Sequence, residues 1–111
     1  MTVAIPTTAA GTVSTHFGHC EEFTLFEIKD GTIAAQRKLT PPPHEPGVLP
    51  KWLHQQGADV IITGGMGQRA RDLFEQFSIK TVVGISGGSP EDVVQEYLKG
   101  TLESSGNLCD H

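Results

Sequence analysis

The alternation of hydrophobic and polar positions predicts strand–helix units in the second half of the chain. In residues 60–77, an apolar β-branched run is followed by three glycines within four positions and then by apolar residues at helical spacing. This pattern predicts a strand, a glycine loop and a helix that ends at Phe77. Residues 80–85 predict another strand. Ser89 and Pro90 suit the start of a final helix, which ends at Gly100 and has a buried stripe of Val93, Val94, Tyr97 and Leu98.

The first half of the chain predicts strands. Residues 3–5 form a short apolar strand that Pro6 is expected to close. Residues 23–28 carry apolar side chains on both faces, so we expect this strand to be covered on both sides. Asp and Gly at 30–31 suit a two-residue turn, and residues 33–39 alternate along a returning strand. The second and third strands should therefore pair antiparallel.

A proline-rich connector separates these strands from the first predicted helix. Residues 41–47 include four prolines and cannot be helical, whereas residues 49–56 show helical spacing that ends at Gly57 in a left-handed cap. The element order β-β-β-α-β-α-β-α predicts a mixed sheet with helices on both faces, joined by right-handed crossovers. We expect one domain over residues 1–103 and a mobile tail over residues 104–111.

Composition and charge limit the classes of partner. The 111 residues carry a net charge of −5 with only 8 Lys and Arg and no basic run, which argues against nucleic acid or an acidic membrane surface. No stretch is long and apolar enough for a membrane span, and the first residues lack a secretory signal pattern, so we expect a cytoplasmic protein. Cys20 and Cys109 are far apart, which favours free thiols or metal ligands over a disulfide.

The predicted topology places three loops at one edge of the sheet. Ligands of open α/β sheets gather beyond the carboxyl ends of the parallel strands. By this rule loop 7–19, glycine loop 64–67 and turn 86–88 should lie side by side. Glycines can take positive φ and let a ligand approach main-chain N–H groups, which a helix N-terminus makes attractive to anions. With Arg69 and Arg71 in the first helical turn, the glycine loop is a candidate anion site.

The loop after the first strand carries the candidate metal-binding chemistry. His16, His19 and Cys20 place two imidazoles and a thiol within five residues, a set that suits soft or borderline metals and metal–sulfur clusters. Their spacing does not match a closed zinc site. Each residue also has an ordinary interpretation: surface or capping histidines, a small buried cysteine, a packing role for Met66, and a tight turn without a ligand. The residues alone leave both interpretations open.

Several motifs together resemble the dinitrogenase iron–molybdenum cofactor biosynthesis family, which includes NifX, NafY, the C-terminal part of NifB and small stand-alone proteins. The resemblance covers residues 3–102. It depends on the combination of His-Phe-Gly with Gly-Gly-Met-Gly-x-Arg-Ala, within the stretches 14–20, 44–47, 50–53 and 57–70, and on Phe23.

The resemblance implies a three-layer α/β/α fold with a ribonuclease-H-like, five-stranded mixed sheet. It also implies non-catalytic binding of an anionic metal–sulfur cluster, of molybdenum–copper sulfide or iron–molybdenum type. Nuclease activity does not transfer, because the first strand lacks the carboxylates that metal-dependent cleavage needs. The positions that match the family's cofactor-binding site are His16, Phe17, Gly18, His19, Gly64, Gly65, Met66, Gly67 and Arg69. The candidate direct metal ligands are His16, then Cys20, with His44 as a further contributor.

Two other functions are compatible with the sequence. An enzyme could hold a phosphorylated small molecule at residues 64–67, although no P-loop lysine and no obvious nucleophile–base pair are present. Alternatively, the protein is a regulatory or interaction domain that works with partner ATPases, with the cluster absent or acting as a signal. The terminal Cys109-Asp110-His111 resembles the Cys/His-bearing tails of some family members, and a metal role for it stays open.

Overall fold

Five strands and three helices follow one another in the predicted order. The computed structural model describes residues 1–8, 11–13, 22–42, 48–85 and 88–100. The elements are β1 (Thr2–Thr7), β2 (Glu22–Lys29), β3 (Thr32–Leu39), α1 (Val48–Gln55), β4 (Val60–Ile62), α2 (Gln68–Gln76), β5 (Lys80–Val82) and α3 (Pro90–Lys99). The strands form one sheet in the order β3-β2-β1-β4-β5. Because β1 pairs antiparallel with β2 and parallel with β4, the predicted mixed sheet is confirmed.

Helices cover both faces of the sheet, as predicted. On one face, Leu49 and Leu53 of α1 and Phe74 of α2 share a buried cluster with sheet residues that include Phe23 and Ile61. On the other face, the second cluster joins α3 to the sheet through Val3, Ile5, Ile62, Val93 and Val94. The first cluster and the second cluster are therefore two cores separated by the sheet, and the α/β/α layering is confirmed.

The hairpin between β2 and β3 has the predicted turn. Asp30 and Gly31 both have positive φ, at 53° and 76°. Two consecutive residues of this kind match the right-handed twist of the flanking strands. The strands pair antiparallel from Phe23 opposite Leu39 to Lys29 opposite Thr32.

The prediction that Pro6 closes the first strand was wrong. β1 continues through Pro6 to Thr7, and Pro6 lies opposite Phe23 of β2. On its other side β1 pairs with β4 only at Val3 and Ala4. The missing N–H of Pro6 therefore falls beyond the pairing with β4, where it interrupts no ladder.

The last strand is shorter than the predicted span of residues 80–85. β5 ends at Val82, and Gly84 takes a left-handed conformation with φ of 92°. Its N–H donates to the carbonyl of Gly64 at 2.9 Å, so the backbone turns toward the glycine loop. Ile85 still packs in the second cluster, which explains its apolar character.

The helix ends follow the sequence signals. Gly57 and Gly100 have φ of 85° and 77°, as expected for left-handed caps. Ser89 is the N-cap of α3 and Pro90 its first residue, but the Ser89 hydroxyl makes no capping hydrogen bond. None of the helices in the described ranges combines the length and the apolar character that crossing a membrane requires.

Candidate functional site

The parallel strands β1, β4 and β5 all finish at the same end of the sheet, and we call this end the carboxyl-end rim. The antiparallel pairs place the start of β2 and the end of β3 at the same edge, because Thr7 lies opposite Glu22 and Phe23 lies opposite Leu39. Each connection that leaves or enters the sheet at this rim can therefore contribute to a single site.

The described parts of the three loops after β1, β4 and β5 meet at the carboxyl-end rim, as the topology predicts. Val13 forms an isolated antiparallel bridge with Thr7, and its N–H donates to the carbonyl of Gly88 at 2.9 Å. The loop after β4 is joined to the loop after β5 by the hydrogen bond between Gly84 and Gly64. Backbone hydrogen bonds thus link the loop after β5 to each of the other two loops.

The glycine loop differs in conformation from the expectation. Positive φ occurs at Gly84 and Gly88 in the neighbouring loop, and not at the three glycines of the 64–67 loop. Gly67 has φ of −68° and ψ of 158°, which is the extended conformation of a helix N-cap. A Cβ atom added to Gly67 would have no heavy atom within 4 Å. Gly67 is therefore required neither for backbone conformation nor for packing, and its lack of a side chain leaves the end of α2 open.

The remaining residues of the loop are covered. Gly64 and Gly65 are buried, and the Met66 side chain, with 1% of its surface exposed, belongs to the first cluster. Met66 therefore helps to anchor the loop to the core beneath it. The exposed part of this segment begins at Gly67 and continues with Gln68 and Arg69.

The N-terminus of α2 has the electrostatic character of an anion site. No side chain caps it, and its first turn contains no acidic residue. Arg69 is exposed in that turn, and Arg71 is half-buried. Asp72 lies one turn from the helix start and accepts a hydrogen bond from Nε2 of Gln68 at 2.9 Å. The first N–H groups of the helix and its positive dipole end can therefore act on a bound anion.

Thr63 lies at the carboxyl end of β4, directly before the glycine loop, and the sequence did not single it out. It is fully buried, and its Oγ1 atom has no hydrogen-bond partner among the residues that the structure describes. Leaving a buried hydroxyl unsatisfied costs roughly 1 to 3 kcal/mol. The available signal was a single polar residue at the carboxyl end of an apolar strand, at the edge where ligands bind.

Six of the predicted site residues lie outside the described residues: His16, Phe17, Gly18, His19, Cys20 and His44. The described residues on either side of the 14–21 stretch, Val13 and Glu22, both belong to the carboxyl-end rim. Within the ranges that the structure describes, no three His, Cys, Asp or Glu side chains are grouped so that they could hold a metal ion.

A depression of about 500 Å³ lies near the opposite edge of the sheet. It is lined by Met1, by Lys80 and Val82 of β5, and by the end of α3. The Lys80 ammonium lies 5.8 Å from the centre of the Tyr97 ring. This depression contains none of the predicted site residues and no helix N-terminus.

Fold and rim together define a small α/β/α domain with a glycine loop and an open helix N-terminus at the carboxyl ends of parallel strands. A family model described as dinitrogenase iron-molybdenum cofactor matches residues 1–100. The chain belongs to this family, as the sequence resemblance indicated. No curated protein gives a significant match to the chain.

Solved structures share the fold over nearly the whole chain. The crystal structure of PH0822 has a TM-score of 0.88 and 31% sequence identity, covering 95% of this chain and 95% of that one. The apo form of the orange protein from Desulfovibrio gigas has a TM-score of 0.76 and 21% identity, covering 96% and 93% of the two chains. MJ0327 from Methanocaldococcus jannaschii has the same TM-score at 17% identity, covering 96% of each chain. The last two likenesses, at such low identity, concern the fold alone.

Proposed function

We propose that this protein binds and carries an anionic metal–sulfur cluster at the carboxyl-end rim without catalysing a reaction. The observation that carries the proposal is the N-terminus of α2. It opens at Gly67 without a side-chain cap or an acidic first turn, beside the exposed Arg69. Membership of the dinitrogenase iron–molybdenum cofactor family supports this ligand class. The cluster would be of molybdenum–copper sulfide or iron–molybdenum type.

Such a ligand suits the rim chemically. The metals of a sulfide-capped cluster are already coordinated, so the protein needs hydrogen-bond donors and positive charge more than a full set of metal ligands. Main-chain N–H groups at the start of α2 and the Arg69 guanidinium supply both. Contacts of this kind permit release, which a carrier requires. A cluster biosynthesis protein or an ATPase that delivers or receives the cluster is the kind of partner we propose.

The imidazoles of the 14–20 stretch are the proposed metal-proximal groups. Val13 and Glu22, which flank this stretch, are both fixed at the rim by backbone pairing to Thr7. That arrangement supports a contribution from His16, Phe17, Gly18 and His19 to the same site. His16 is the first choice for a direct metal ligand, followed by Cys20. His44, in the connector that leaves β3 at this rim, is the third proposed ligand.

Anaerobic titration with tetrathiomolybdate and Cu(I) tests the proposal. The wild-type protein is expected to develop sulfur-to-metal absorption bands and to retain molybdenum and copper through gel filtration. His16→Ala is expected to lower the affinity for the cluster by roughly 10- to 100-fold, the range found when groups that support a metal site are removed.

His54→Ala is the matched control. The His54 ring stacks on the Phe77 ring with 4.9 Å between their centres. His54 lies near the end of α1, just before the chain enters β4 at its amino end, so it is far from the carboxyl-end rim. It is expected to bind as the wild type does. A wild-type protein that stays colourless and retains no metal would refute the carrier proposal. Equal losses in the two histidine variants would refute the role of His16.

A further inference from the structure

Within the described ranges three threonines are buried, and the hydroxyl of one of them lacks a hydrogen bond. Thr7 and Thr24 lie on neighbouring strands, and their hydroxyls hydrogen-bond to each other at 3.2 Å. The Thr63 hydroxyl is equally buried but has no partner within the described part of the chain. A valine would fill nearly the same volume without the unsatisfied hydroxyl. An unsatisfied buried group in a native fold therefore calls for an explanation, and a bound ligand is one that the site offers.

The backbone of Thr63 fixes the position of this hydroxyl at the site. Its N–H donates to the carbonyl of Val82 at 2.9 Å, and its carbonyl accepts from the N–H of Ile85 at 3.4 Å. Thr63 thus stays at the carboxyl end of β4, with the buried Gly64 and Gly65 next in the chain.

The alternation of β4, continued by one residue through the Thr63–Val82 hydrogen bond, indicates the face of the sheet on which the Thr63 side chain lies. Side chains two positions apart on a strand lie on the same face. Thr63 is therefore on the face of Ile61, which packs in the first cluster together with Phe74 of α2. This is also the face over which the open N-terminus of α2 lies, so the orphan hydroxyl and the helix end approach the glycine loop from the same side of the sheet.

We propose that Thr63 is a binding residue of this site, whose hydroxyl donates a hydrogen bond to a terminal sulfido or oxo atom of the bound anion. The inference rests on the proposed function and adds a residue to it. Because the side chain has no exposed surface, the contact requires the adjacent loop backbone to shift when the anion binds. The ligand atom then satisfies the hydroxyl, and the unfavourable free energy of the unsatisfied group contributes to affinity.

Thr63→Val and Thr63→Ser test this assignment, with tetrathiomolybdate as the probe. Valine keeps the shape and removes the donor, whereas serine keeps the donor. Thr63→Val is expected to lower the affinity by about tenfold, the effect of losing one hydrogen bond to a charged group. Its midpoint of urea unfolding should equal or exceed that of the wild type, because no protein hydrogen bond is lost. Thr63→Ser should bind within about twofold of the wild type.

In Thr63→Val the affinity for tetrathiomolybdate is expected to fall while the stability is kept or rises. This combination distinguishes a ligand-binding role from a structural role. A Thr63→Val variant with wild-type affinity would overturn the assignment. So would a variant that loses stability and affinity together while Thr63→Ser keeps both, because the hydroxyl would then have a partner within the protein. Failure of the wild type to bind tetrathiomolybdate would instead refute the proposed function, and the assignment of Thr63 with it.

Discussion

Replacement of Phe74 with alanine is expected to lower the free energy of unfolding by about 3 to 5 kcal/mol. Phe74 is fully buried in the first cluster, and it is the buried residue through which α2 packs on the sheet. Removal of the ring leaves a cavity between α2 and the sheet that the surrounding side chains can fill only in part. A loss of this size is a large fraction of the roughly 5 to 15 kcal/mol that stabilises an ordinary domain.

Urea unfolding followed by circular dichroism measures this loss. Glu75→Ala is the control, because Glu75 is the exposed neighbour on the same helix. It should change the stability by less than about 0.5 kcal/mol. A loss below about 1 kcal/mol in Phe74→Ala would contradict the packing of α2 against the sheet and, with it, the orientation of the helix N-terminus toward the rim.

Substitution of Gly67 by aspartate is expected to abolish most anion binding while it preserves or increases stability. The backbone of Gly67 suits any L-residue, and a Cβ atom there meets no neighbour within 4 Å. An aspartate at the N-cap accepts hydrogen bonds from the first N–H groups of α2, and it should raise the stability by a few tenths of a kcal/mol. The same carboxylate occupies the donors that the anion would use and repels its charge. We therefore expect the affinity for tetrathiomolybdate to fall by about tenfold or more.

Gly67→Asn separates charge from obstruction, because asparagine has nearly the same shape and also caps helices. It should weaken binding less than aspartate does, and the difference between the two should shrink at high salt. Isothermal titration calorimetry of both variants measures the effect. Wild-type affinity in Gly67→Asp would contradict an anion site at the helix end. Equal losses in the two variants would contradict the electrostatic part of the explanation.

Local patterns were sufficient to predict most of the fold. The Asp30-Gly31 turn, the apolar runs of β2 and β4 and the helical spacing before Phe77 each depend on nearby residues, and each prediction was confirmed. The two wrong predictions, that Pro6 closes β1 and that β5 extends to residue 85, concern strand ends that are set by contacts with distant parts of the chain. A proline is tolerated in β1 because β4 stops short of it, and β5 ends early because Gly84 bonds to the glycine loop. Neither partner is visible in a local pattern.

The adjacency of the loops at the candidate site was predictable from the sequence, whereas the contacts of individual side chains were less so. Strand order placed the glycine loop beside the ends of β1 and β5, and the backbone bonds of Gly64 and Val13 agree with that prediction. The orphan hydroxyl of Thr63 could not be predicted, because a missing partner is a property of packing in three dimensions. The roles of His16, Cys20 and His44 stay predictions.

Amide NMR of the labelled protein during anaerobic titration with tetrathiomolybdate tests the central claim most directly. Our account predicts that the largest shift changes fall on residues 64–69, with smaller ones at Val13 and Gly88 in the adjoining loops. Amides that line the depression near Lys80 and Tyr97 should stay unchanged. Largest changes at that depression, or no change anywhere at saturating concentration, would contradict an anion site at the carboxyl-end rim.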